Sequence, residues 1–207
     1  MNPELWIAFF FASVLISVSP GAGAVNTMSN GIHYGVRHTL PAILGLQLGY
    51  GIQIVIVGIG LGALLASSNL AFSIVKWLGV AYLVWLGYSK WTQPPLQIDD
   101  PSGGDLKSRR RFWEAAFVNL TNPKATVFLL ALFPQFIDPQ AAQMSQFFVM
   151  GVTLILVDIG VMIGYASLAS SLSRWMKDTR HQRLQNRIFG SLFMGAAALM
   201  ATYRNGQ

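Results

Sequence analysis

Six apolar stretches, each near the ~20 residues that cross ~30 Å of hydrocarbon as a helix, account for most of this chain. They run from Leu5 to Met28, Leu40 to Ala66, Leu70 to Trp91, Phe112 to Ile137, Phe147 to Leu172 and Leu184 to Tyr203. Hydrocarbon offers backbone groups no partners, so such segments must satisfy their own hydrogen bonds as helices. The pattern predicts an all-α integral membrane protein of six transmembrane helices. With hydrophobic residues at 53% and charged residues at 11% of 207, the chain is too apolar for a soluble domain of its size. The first stretch is expected to be retained: Ala22-Gly23-Ala24 imitates a signal-peptide cleavage site, but no Lys or Arg precedes the apolar run and Glu4 stands where a basic residue belongs.

Two of the six stretches are interrupted by proline, at Ser19-Pro20-Gly21-Ala22-Gly23 and at Asn119-Leu120-Thr121-Asn122-Pro123-Lys124. Proline removes an N–H and clashes with the preceding turn, freeing backbone groups that lipid cannot satisfy. Such breaks persist where the freed groups line a cavity or bind a ligand, and a matched pair in two halves points to a transporter's substrate site. The ordinary alternative is a kink repacked by neighbouring helices.

Each break opens one half of the chain. Residues 1–91 form a first three-helix repeat, 112–207 a second, and 92–111, with Pro94-Pro95, Pro101, Gly103-Gly104 and Arg109-Arg110-Arg111, a cytosolic linker. Ser19-Pro20-Gly21-Ala22 aligns with Asn122-Pro123-Lys124-Ala125 at an offset of 103 residues, and Lys76-Trp77-Leu78-Gly79 with Arg187-Ile188-Phe189-Gly190 at 111, so an insertion is implied. A three-helix repeat must insert its second copy upside down, which supplies two packings of similar energy and hence alternating access.

Basic residues set the orientation. Arg37 lies in the first loop, Lys90, Lys107 and Arg109 to Arg111 in or beside the third, and Arg174, Lys177, Arg180, Arg183 and Arg187 in or beside the fifth. The positive-inside rule puts these loops in the cytosol and both termini in the periplasm of a bacterial inner membrane. The net charge of +6 is then topology and lipid contact, with no nucleic acid implied. Trp6, Trp91, Trp113, Trp175 and Lys76 read as interface anchors.

The absence of cysteine excludes disulfides, thiolate metal sites and dithiol redox chemistry, and His33, His38 and His181 fall in predicted loops, so no cofactor or metal is expected. No nucleophile and base stand at motif spacing, which disfavours a membrane-embedded enzyme; a channel is the other alternative to a carrier.

Broken-helix ends offer carbonyl acceptors to a cationic group and amide donors to an anionic one. The candidate substrate-binding residues are therefore Ser19, Pro20, Gly21 and Gly23 with Asn26 and Thr27 just beyond, and Asn119, Asn122, Pro123 and Lys124 at the second break. Lys124 lies twelve positions from Phe112, roughly 18 Å along a helix, near mid-membrane. It is placed to bind the substrate carboxylate or to pair with Asp158; snorkelling to water is the alternative. Asp158 is the carboxylate that falls midway along a stretch, between Phe147 and Leu172, and shares a helix face with Gly151 and Tyr165. It reads as a proton-coupling or ammonium-binding group, or as half of a structural ion pair with Lys124. Gln47 and Gln53 cannot share one narrow face; Gln47, between Gly45 and Gly49, is preferred for the pathway.

Ser19-Pro20-Gly21, Gly45-Leu46-Gln47-Leu48-Gly49, Lys76-Trp77-Leu78-Gly79 with Ala81 to Gly87, Asn119 to Lys124, and Phe133-Pro134-Gln135-Phe136 together resemble the LysE/RhtB amino-acid exporter family, in order and over nearly the whole chain. The resemblance extends to Val157-Asp158-Ile159 and Phe189 to Met194. It implies efflux of neutral or hydroxylated amino acids, among them homoserine, its lactone and threonine, driven by the proton gradient. The oligomeric state stays open, a homo-oligomer included.

Overall fold

The computed structural model describes residues 1–65, 69–95, 107–138, 141–171 and 178–202, which form seven α-helices and no strand. In chain order these are α1 (Pro3–Val18), α2 (Ala22–Leu65), α3 (Asn69–Thr92), α4 (Ser108–Leu120), α5 (Pro123–Leu132) with a 3₁₀ turn at Phe133–Phe136, α6 (Gln143–Ser171) and α7 (Thr179–Thr202). By length and composition Ala22–Gly60 and Gln143–Ser171 can each cross a bilayer, and α4 with residues 124–136 would be a third span, bent by 54°. Most of the linker, residues 96–106, and the side chains of Lys76 and Trp175 lie outside the described set.

Large apolar side chains cover the outside: Phe11, Phe148 and Met144 expose 65, 72 and 78% of their surface, while Lys90, Arg111 and Asp158 are buried. That inversion suits a lipid solvent. Helix association there depends on close packing more than on apolar burial, and small residues mark the crossings. A Cβ at Gly45 would lie 2.0 Å from the Phe112 carbonyl oxygen and one at Gly49 2.5 Å from that of Ala116, so α2 and α4 approach to backbone contact. At the α3–α7 crossing the contact is reciprocal: a Cβ at Gly87 meets Gly190 O at 2.8 Å, and one at Gly190 meets Gly87 O at 2.7 Å.

Helix starts follow local chemistry. Asn2-Pro3 opens α1, with Asn2 Oδ1 accepting from Glu4 N at 2.9 Å, and Asn122-Pro123 opens α5 in the same way. At α7, Asp178 Oδ1 accepts from Arg180 N at 2.8 Å; this bond holds the exposed Asp178 carboxyl below its usual range.

The expected first loop is not a loop. His33, Arg37 and His38 lie in α2, and only Gly35 between them leaves helical geometry, at φ 70° and ψ 172°. Side chains with a Cβ almost never adopt that backbone region. The arms 22–34 and 36–65 fold back on each other there, since Ala24 and Met28 share a core cluster with Ala42, Ile43 and Leu46. One glycine thus replaces the loop that the polar run around His33 suggests.

Candidate functional site

Both breaks form where proline predicts them. Before Pro20, Ser19 is extended (φ −69°, ψ 118°), α1 stops at Val18, and α2 begins at Ala22. The last carbonyls of α1 lose their intrahelical donors and carry the negative end of the helix dipole. Side chains from three other helices meet them. Lys124 Nζ donates to Ile16 O at 2.9 Å and to Ser19 O at 2.5 Å, Tyr165 OH donates to Val18 O at 2.6 Å, and Lys90 Nζ donates to Pro20 O and, at 2.7 Å, to Gln93 Oε1.

At the second break α4 ends at Leu120 and Asn122 is extended (φ −75°, ψ 106°), its Oδ1 accepting from Lys124 N at 3.1 Å. Pro123 takes the first helical position, where its missing N–H costs nothing. The freed Leu120 carbonyl accepts from Gln53 Nε2 at 3.0 Å, and Asn119 Nδ2 donates to Leu46 O at 2.8 Å. Each break is thus repaired by side chains that other helices supply.

The two breaks meet. Ser19, Gly21 and Gly23 from the first and Asn119, Asn122 and Lys124 from the second line one cavity of about 30 Å³, closed by Ser17, Tyr50, Asp158 and Met162. That space holds about two waters and no amino acid. Asp158 is 6% exposed, and its Oδ2 accepts from Gln47 Nε2 at 2.7 Å. Beside them the buried Ser19 Oγ and Gln47 Oε1 have no hydrogen-bond partner among the described residues. First-turn amides of α2, which helix geometry leaves without intrahelical acceptors, start at this cavity wall, whereas in α5 Pro123 has no N–H and the Lys124 amide is taken by Asn122 Oδ1.

The extended chain at the first break is a partition. Ser17, Ser19 and Gly21 face the polar cavity, whereas Val18 and Pro20 face a larger one of about 600 Å³ on the other side. Met28, Val161, Leu168 and Phe189 make that second space largely apolar, and His181, Gln182 and Gln185 edge it.

The expected site residues do not all meet at the cavity. Lys124 and Asp158 share the cavity wall but form no ion pair among the described residues, because the ammonium is committed to main-chain carbonyls. Asn26 points away; its carbonyl and Oδ1 accept from Asn30 Nδ2 on the same helix. Thr27 stands behind the site, with Oγ1 3.4 Å from Met162 Sδ. Gln47 reaches the site through Asp158, while Gln53 serves the second break. Gly151, Asp158 and Tyr165 are all buried, as one shared helix face requires.

Sequence reasoning missed Lys90, Tyr165 and Tyr50 as site residues. The signal for Lys90 is helical spacing: it lies three, four and seven positions after Gly87, Leu86 and Leu83, all on the buried face of α3. Tyr50 likewise follows Gln47 by three and Leu46 by four.

Residues 14–204 match the family described as LysE type translocator. The chain is 50% identical to the homoserine/homoserine lactone efflux protein of Salmonella typhimurium, over 99% of this chain and 100% of that one. It is 46% identical to an uncharacterized membrane protein of Vibrio cholerae, over 98% of each, and 29% identical to the leucine efflux protein of Klebsiella pneumoniae, over 97% of this chain and 96% of the relative. No solved structure matches.

Proposed function

The chain belongs to the LysE-type translocators, membrane transporters and not enzymes, and from that premise we propose that it exports homoserine, homoserine lactone and related neutral amino acids such as threonine across the bacterial cytoplasmic membrane. The convergence of two broken helices on one buried polar cavity carries this reading. The carbonyl end of α1 and Asp158 offer acceptors to an ammonium, and the first turn of α2 offers donors to a carboxylate. Lys124, once off the carbonyls, stands within reach of that carboxylate.

In this reading the chain has six spans in two inverted three-helix halves, with both termini in the periplasm, and transport proceeds by alternating access. The reciprocal Gly87–Gly190 contact supports the repeat. Those glycines are 103 residues apart, the same offset as Pro20 and Pro123, whereas the alignment of Gly79 with Gly190 needs an insertion. A pseudo-two-fold axis between the halves produces such an i-to-j, j-to-i contact. The small cavity fits a state that must open before substrate enters. Asp158 serves as the site where a proton exchanges for substrate.

A competition panel of amino acids against labelled homoserine, with purified protein in liposomes under an imposed pH gradient, tests the proposal. Saturable, gradient-dependent efflux that homoserine and threonine inhibit is expected; flux that neither saturates nor follows the gradient would return the channel reading.

A further inference from the structure

We infer that the Ile16 and Ser19 carbonyls at the C-terminal end of α1 are a primary-ammonium site, filled by the Lys124 side chain in the empty protein and by the substrate's ammonium in the loaded one. The second occupant rests on the efflux reading; the site itself does not.

Free carbonyls at a helix C-terminus carry roughly half a negative charge, and a lysine ammonium is a compact cation with three donors and no acceptor. Lys124 spends two donors on Ile16 O and Ser19 O at 2.9 and 2.5 Å, reaching across from the first turn of α5 to the end of α1. Among the described residues it meets no carboxylate within ion-pair distance, although Asp158 lines the same cavity. Main-chain oxygens in a buried polar cavity, a buried Ser19 Oγ without a partner among the described residues and the nearby Asp158 carboxyl group are what the ammonium of a free amino acid requires. Gly21 keeps the approach open, because a Cβ there would stand 3.3 Å from both Lys124 Cδ and Nζ.

The remaining space, about 30 Å³, leaves no room for an amino acid while Lys124 lies in place. Its four-carbon arm is flexible and can swing away without displacing a helix. A zwitterion entering as it leaves puts a new ammonium on the carbonyls and presents a carboxylate to the displaced lysine. No charge is then left buried and unpaired, an arrangement that costs several kcal/mol per ion when broken.

Lys124→Ala removes the propylamine portion of the side chain, so n-propylammonium is the matched probe. In thermal unfolding of the purified full chain, Lys124→Ala should melt below the parent and regain about 3–5 °C at tenfold above half-saturation, while the parent shifts less. Tetramethylammonium, equally charged but without N–H donors, should shift neither. In the parent, reductive methylation of Lys124, run with formaldehyde in excess over the n-propylammonium it also methylates and followed by peptide mass, should rise as n-propylammonium displaces it, an arm that stands even if Lys124→Ala does not fold. Equal responses to the two cations, or methylation of Lys124 indifferent to n-propylammonium, overturns the site. Labelled-homoserine flux separates the two ideas: flux without any n-propylammonium response removes the ammonium site and keeps the efflux reading, and the reverse result keeps the site and removes homoserine.

Discussion

Asp158 and Lys124 face one cavity without touching, and that geometry decides what their mutants should do. A structural ion pair tolerates removal of both partners far better than removal of one. Here Gln47 holds the carboxylate and α1 carbonyls hold the ammonium, so the double mutant gains nothing from symmetry. Asp158→Asn should insert normally and lose gradient-driven efflux, because an amide cannot exchange a proton, while substrate exchange without net flux persists. Lys124→Met should weaken substrate binding, with about 1–3 kcal/mol lost in stability as two buried carbonyls lose their donor. Efflux in liposomes for both singles and the double checks this: activity restored in the double mutant would refute the coupling role. Gln47 is the supporting residue, and Gln47→Leu should shift the pH profile of efflux by leaving the carboxylate without its donor.

At the scale of elements, the breaks and the glycine crossings do different work. Pro20 ends α1 and keeps the carbonyls of Ile16, Val18 and Ser19 available, so Pro20→Ala should restore helical hydrogen bonds and cut export with little loss of expression. Pro123 stands at the first helical position, and Asn122 caps the same turn. Asn122→Ala should therefore cost about 1 kcal/mol in thermal stability, and export should fall in Pro123→Ala through the altered entry to α5. Normal threonine and homoserine efflux in both proline mutants would reduce the breaks to packing features. Gly45→Ala acts elsewhere: its Cβ meets the Phe112 carbonyl at 2.0 Å, so α2 and α4 must separate, at ~1–3 kcal/mol, measurable as a lower melting temperature.

For the molecule as a whole, the decisive quantity is which side each loop faces. Basic residues at Lys107 to Arg111 and at Arg180, Arg183 and Arg187 predict cytosolic ends for α4 and α7. The chain has no cysteine, so a single introduced thiol reports cleanly. Ser102→Cys, in the linker outside the described residues, should resist an impermeant maleimide added to intact cells and react once the cytosolic face is opened. Labelling from outside would reverse the orientation and exchange the ends by which substrate enters and leaves.

Helix positions and the two breaks were legible in the sequence because both depend on local constraints: apolar length against bilayer thickness, and the missing N–H of proline. Gly151, Asp158 and Tyr165 were legible as one face because helical periodicity is local too. The one-residue reversal at Gly35 was not, since its polar neighbours His33, Arg37 and His38 resemble a loop whether or not they are helical. Nor could sequence assign partners. Whether Lys124 met Asp158 or a carbonyl, and whether Lys90 ended at an interface or inside, depended on how α1, α3 and α5 pack in three dimensions. Proline announces that carbonyls are freed; only tertiary structure decides which distant donor satisfies them, because that donor comes from a helix with no fixed sequence spacing to the break.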